Sequence, residues 1–320
     1  IGPVALAEAP DGTILVSGGA DRGTIWRLPS EGGEAGEPLA RLDRPVFDLL
    51  FDSAGRLWAA TGGEALLELD PATGAVVAKH GEGVTTGLAE HPETGDLYVG
   101  TASGVMRFDP STGAFAAWSR DLGLRVGDLA FDAEGTLWAT TWPDRAQLIS
   151  FDARARAEAR ASFETPIDSF AFGRPGTDLE GLLFVTHNRG AGEAQGATPA
   201  AATLSMIDLG TMRRIEVARG GERGDTALAT SEGRVLVSQT SRVDQISPVF
   251  APRVIATNPP AAGVAAVPLP FLSITFDEAM LAEDAGDPRS VLNLANYRLV
   301  GAESGEAAIR AAAWNAETRT

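Results

Sequence analysis

Residues 51–58 read Phe51-Asp52-Ser53-Ala54-Gly55-Arg56-Leu57-Trp58, and eighty residues later the chain reads Phe131-Asp132-Ala133-Glu134-Gly135-Thr136-Leu137-Trp138. Each stretch is an apolar strand end, a turn closing on Gly, and a strand that opens Leu-Trp. Working outward, the turn glycine recurs as Gly12, Gly55, Gly95, Gly135, Gly181 and Gly233, at spacings of 43, 40, 40, 46 and 52 residues. Two positions after it stand Ile14, Leu57, Leu97, Leu137, Leu183 and Val235, and three after it Leu15, Trp58, Tyr98, Trp138, Phe184 and Leu236. A strand-built unit of that length, with a bulky side chain at a fixed place in each copy, is the mark of a β-propeller blade.

Blade two is the clearest copy. Pro45 to Phe51 is its innermost strand, Arg56 to Ala60 the second and Ala65 to Leu69 the third. The turn Asp70-Pro71-Ala72-Thr73-Gly74 leads to an outer strand Ala75 to Ala78, and blade three repeats the turn as Asp109-Pro110-Ser111-Thr112-Gly113. Asp accepts turn amides, Pro fixes φ and Gly supplies a positive φ. Between Ala153 and Ala161, Ala alternates with Arg or Glu; those residues favour helix individually, but the period of two reads as an outer strand. Residues 188–199 are small and polar and read as a long loop of blade five.

The sequence therefore predicts an all-β protein, with a six-bladed β-propeller over residues 1–250. The sixth copy lacks an outer strand after Ile246, so an upstream segment would close the ring, or a seventh blade would precede Ile1. Past residue 250 the blade pattern stops. Arg253–Val264 and Phe271–Met280 read as short strands split by a Pro-Gly turn. Residues 251–320 are expected to form an antiparallel β-sandwich of Ig-like type, cut short at Thr320 because such sandwiches need about 100 residues.

Forty-three acidic residues against 26 basic ones give a net charge of −17, which repels nucleic acid and anionic membranes as partners. With no cysteine, disulfides, thiolate metal sites and Cys nucleophiles are excluded. No apolar run is long enough to span a bilayer. No leader peptide is visible, and Ile1 opens directly into blade sequence, so the natural N-terminus is expected to lie upstream.

The two Phe-Asp-x-x-Gly-x-Leu-Trp stretches resemble blades of the NHL, streptogramin-lyase-like and sensor-propeller group, a resemblance that covers residues 3–250. That group holds enzymes, ligand sensors and interaction scaffolds, so the resemblance speaks to architecture. Pro259 to Gly263 and Thr275 to Met280 resemble the Ig-like domain of bacterial surface-layer and adhesin-type proteins. This second resemblance implies a secreted or cell-surface bacterial protein in which the sandwich is a spacer.

Chemistry is expected where the inner strands begin, at the face that also carries the loops between second and third strands. Asp48, Asp128, Asp168 and Asp225 lie within one residue of a common register there. Converging carboxylates repel unless a cation or protons offset them, and Ca²⁺ or another divalent cation suits oxygen ligands. The plainer reading is that each Asp accepts hydrogen bonds from loop amides. Trp142, Pro143, Asp144 and Arg145 form an aromatic and charged loop on this face, suited to a carbohydrate or protein partner.

His187 ends a strand in the same blade as Asp168. It is the candidate base if the protein is a metal-dependent lyase or lactonase working at the channel mouth with Asp128 and Asp168. The lyase resemblance supplies no matching His and Glu pair on consecutive blades. The leading expectation is thus a non-catalytic binding or scaffold module whose upper propeller face contacts a ligand or partner.

Overall fold

The computed structural model is described here for all residues except 1, 30–31, 120–122, 124, 142–144, 189–201, 222–225, 248–253, 261–270, 278, 288–289 and 302–304. The chain divides into two compact units, Ile1–Pro248 and Val249–Thr320. No α-helix occurs among the described residues.

The first unit is a six-bladed propeller. Its sheets are antiparallel and run in chain order from the axis outward, with four strands in blades one to five and three in blade six among the described residues. The inner strands are Ala5–Glu8, Val46–Phe51, Leu88–Glu90, Leu129–Phe131, Ile167–Phe172 and Ala227–Ala229. Each of them packs beside the next around the axis, and the last packs against the first. The seven-bladed alternative is thereby corrected: blade six meets blade one directly, and no further blade fits between them.

The repeat seen in the sequence explains the core. Successive residues of a strand point to opposite faces, so the two residues after each turn serve two different seams. Leu57 packs with Leu15 and Ile25 of the preceding blade, whereas Trp58 packs with Leu97 and Phe108 of the following one. Leu137 meets Val105 behind it, and Trp138 meets Leu183 and Ile207 ahead. At the closing seam Leu236 of blade six packs with Leu6, Val16 and Trp26 of blade one.

The Asp of the repeat is a structural residue. Asp52 Oδ1 accepts the amides of Ala54 at 3.0 Å and Arg56 at 2.8 Å, while Oδ2 accepts the Trp58 indole N–H at 2.9 Å. Asp132 does the same for Trp138 at 2.8 Å. The turn Asp and the bulky residue six positions later are thus one unit, which satisfies an indole N–H that packing would otherwise strand.

Residues 157–162 form the outer strand Ala157–Ser162 of blade four, as the period of two implied. Gly74 and Gly113 adopt φ of 70° and 71° in the two Asp-Pro turns. Most of the long loop of blade five lies outside the described residues.

In the second unit, Val254–Asn258 pairs antiparallel with Ser273–Phe276, and Leu299–Gly301 pairs with Gly305–Ala307. A 3-10 turn, Leu294–Asn296, is capped by the Asn293 side chain. Phe276 N–H donates to the Arg319 carbonyl at 3.0 Å, and the Trp314 ring lies 6.2 Å from that of Phe276. Two separate two-stranded sheets are what the described residues hold of the sandwich expected there.

Candidate functional site

The inner strands begin around the axis, and the connectors that feed them enclose a cavity of about 450 Å³. Val4, Arg22, Phe47, Asp48, Val84, Thr86, Arg125, Asp128, Asp168, Ser169 and Thr226 are among its walls, so every blade contributes. This is the face on which the sequence placed the site.

Strand pairing fixes which residues share a level. Asp48 lies opposite Ala60, Ala5 opposite Ser17 and Ser169 opposite Thr186. Gly87, Asp128 and Thr226 hold the matching places one residue before Leu88, Leu129 and Ala227. The belt around the axis therefore reads Ala5, Asp48, Gly87, Asp128, Ser169, Thr226.

The belt's side chains join neighbouring blades. Asp48 accepts the Leu49 amide at 2.8 Å on Oδ1 and the Leu88 amide of blade three at 2.7 Å on Oδ2. Asp128 accepts the Leu129 amide at 2.8 Å, and on Oδ2 the Ser169 hydroxyl at 2.6 Å and the Phe170 amide of blade five at 3.0 Å. Ser169 Oγ accepts the Ala227 amide of blade six at 3.1 Å. Blade three has Gly at this level because a Cβ on Gly87 would stand 2.4 Å from the Gly127 carbonyl oxygen.

Burial pushes the Asp48 carboxyl well above the usual range, with the charge of Asp128 adding to the shift and the two amides opposing it. Burial also raises Asp128, against the Ser169, Phe170 and Leu129 donors. Both residues keep partial exposure, through the cavity they face. Burial and mutual repulsion thus favour the neutral form of these two carboxyls, while the amide and hydroxyl donors on their oxygens favour the charged one.

Asp168 and Asp225 stand one residue earlier than the belt. Asp168 occupies a bulge in its strand pair, as Phe47 does in blade two, and the extra residue re-aims both side chains into the cavity. The Asn188 amide donates to Asp168. Asp225 lies outside the described residues. Among the described residues, no three His, Asp or Glu side chains converge as ligands of one ion.

His187 stands apart from the cavity walls. Its Nδ1 lies 2.7 Å from Thr165 Oγ1, its Nε2 lies 2.9 Å from Ser205 Oγ, and its ring packs 4.9 Å from Phe163. Burial and then nearby Arg214 lower its pKa. Both ring nitrogens are engaged by hydroxyls. Arg145 is exposed on the loop of blade four, its amide donating to the Thr141 carbonyl at 3.0 Å. Trp142 and Asp144 of that loop lie outside the described residues.

Sequence reasoning missed Arg22, Phe47 and Arg125. Phe47 had a local signal, its place beside Asp48, but the bulge that turns it inward has none. Arg22 carries φ of 58°, an unusual backbone for a residue other than Gly.

No protein-family model matches the chain, and no curated protein matches it. Solved structures share the fold. A streptogramin B lyase is 14% identical with a TM-score of 0.52, over 76% of this chain and 92% of that one. Virginiamycin B lyase from Staphylococcus aureus is 12% identical with a TM-score of 0.53, over 78% and 87%. An auxiliary nutrient binding protein from Bacteroides thetaiotaomicron is 11% identical with a TM-score of 0.58, over 76% and 69%. At these identities the likeness is one of architecture, a propeller of the streptogramin B lyase kind.

Proposed function

We propose that this chain is a non-catalytic binding module whose small-molecule ligand seats in the channel mouth. The observation that carries the reading is the axial cavity of about 450 Å³, with Phe47 and Val84 beside Asp168, Arg22 and Arg125. Apolar walls with a few convergent polar groups are the usual make-up of a ligand site, and the size falls in the range of roughly 300–1,000 Å³. That a nutrient binding protein shares the fold supports a binding role by analogy.

A lyase or lactonase built on His187 would need that ring in the cavity. His187 is turned to Thr165 and Ser205 instead. We assign the surroundings of the protein in the same spirit: an exported or cell-surface bacterial multidomain protein, with residues 251–320 acting as an Ig-like spacer. The acidic, cysteine-free composition supports that setting, and among the described residues no helix is long and apolar enough to cross a membrane.

The test is a thermal-shift screen of small polar compounds on the wild type and on Val84→Trp. Val84 is 56% exposed at the cavity, so the larger ring narrows the mouth without entering the core. Compounds that raise the melting temperature of the wild type should lose that effect in the variant. Equal stabilisation of both proteins would remove the channel mouth as the site.

A further inference from the structure

We propose that the channel mouth recognises a sugar acid, a hydroxylated carboxylate held by Arg22 and Arg125 with its ring against Phe47. The inference rests on the channel mouth being the ligand site, and it adds the chemical class of the ligand.

The charge pattern is the first reason. The protein as a whole is strongly acidic, with a net charge of −17, and three aspartates line this cavity, yet two arginines from separate parts of the ring line it with them. Arg22 comes from the loop between the second and third strands of blade one, and Arg125 from the connector entering blade four. Arg22 has no carboxylate partner among the described residues. Its backbone is held in the left-handed region by two hydrogen bonds, its amide to the Gly19 carbonyl at 3.1 Å and its carbonyl from the Val46 amide at 2.9 Å. A planar guanidinium matches a carboxylate with two parallel hydrogen bonds, better than it matches a neutral hydroxyl.

The other walls of the cavity supply the rest. Asp168 and Thr226 offer acceptors, and in the case of Thr226 a hydroxyl donor, for ligand hydroxyl groups. Phe47 and Val84 offer apolar surface for the C–H face of a sugar ring. A bare inorganic anion would use the arginines and leave this surface idle. The elevated carboxyls of Asp48 and Asp128 also lessen the repulsion that an anionic ligand meets on entering.

Isothermal titration of the full chain with D-galacturonate, D-galactose and inorganic phosphate tests the proposal. Galacturonate should bind, with galactose and phosphate each at least about tenfold weaker, and Arg22→Gln and Arg125→Gln should each weaken galacturonate by about tenfold. Both arginines are exposed, so the variants should fold as the wild type does. Galactose binding as tightly as galacturonate would show that no carboxylate is read, and phosphate binding as tightly would show a general anion site. Either result overturns the sugar-acid assignment while leaving a channel-mouth site standing. Absence of galacturonate binding overturns it outright, and the Val84→Trp screen then decides separately whether the mouth binds anything.

Discussion

Glu8 of blade one grips Ser231 of blade six: Oε2 accepts the Ser231 amide at 2.9 Å, and Oε1 accepts its hydroxyl at 2.6 Å. The same grip recurs inside the ring, where Glu90 of blade three accepts the amide of Ser53 at 2.8 Å and its hydroxyl at 2.6 Å. In both cases a Glu ending an inner strand holds the first turn residue after the inner strand of the blade before it. At the closing seam that contact, with the Leu236 and Trp26 packing above it, stands in for a covalent connection.

Glu8→Ala should therefore lower the unfolding free energy by about 1–3 kcal/mol, because charge-assisted bonds to a largely buried carboxylate are lost. The Glu8 side chain is only 6% exposed. Urea unfolding followed by tryptophan fluorescence checks this. A loss no larger than that of a substitution on the outer strands would mean that the latch contributes nothing to closure.

The Asp52–Trp58 unit makes a second prediction. Asp52→Ala strands the indole N–H of a side chain that is 1% exposed and removes the acceptor for two turn amides. The expected cost is about 2–4 kcal/mol. Trp58→Phe, which removes the donor as well, should restore part of that loss when combined with Asp52→Ala. Additive losses in this double-mutant cycle would contradict the pairing.

Gly87→Ala is expected to fail where most Gly to Ala changes are mild. Its Cβ would meet the Gly127 carbonyl oxygen at 2.4 Å and the Leu129 amide nitrogen at 2.8 Å, both of them backbone atoms. Blade four would have to move outward, at a cost of about 2 kcal/mol or more. Denaturant midpoints for this variant and for Gly36→Ala compare the two sites directly, since nothing lies within 4 Å of a Cβ at Gly36 and its φ is not in the left-handed region.

The raised carboxyls set a pH dependence. Asp48 and Asp128 hold protons in the folded protein at a pH where the unfolded chain has released them, so their contribution to stability falls as pH rises above the ordinary Asp value. Asp109 and Asp152 act oppositely: turn donors pull the first, and Arg156 the second, down to about 2, so the stability they contribute is lost as pH falls toward that value. Asp48→Asn turns an amide group toward an N–H donor and should be less stable than the wild type near pH 4. The gap should narrow between pH 4 and 8, and a constant or widening gap in urea unfolding would contradict the assignment.

Much of the ring was legible because strands have a period of two. Leu57 and Trp58 are adjacent in sequence and face opposite seams, so a fixed register after each turn Gly implies radial packing. The belt was partly legible: the offset of Asp168 from Asp128 was visible, but not that a bulge would turn Asp168 and Phe47 inward together. The Glu8–Ser231 grip joins residues 223 positions apart, and no local pattern signals a contact that exists only once the ring has closed. Arg22 and Arg125 were hidden for the same reason, since each lies in a connector whose neighbours are set by other blades. A histidine at a strand end such as His187 carries no mark of the hydroxyls that Thr165 and Ser205 bring to it.

The most direct test is a crystal structure of the protein grown with D-galacturonate. Density for the sugar acid between Phe47 and Asp168, with its carboxylate within about 3.2 Å of an arginine nitrogen of Arg22 or Arg125, is the predicted result. An empty channel mouth, with the compound bound elsewhere or not at all, would contradict the account.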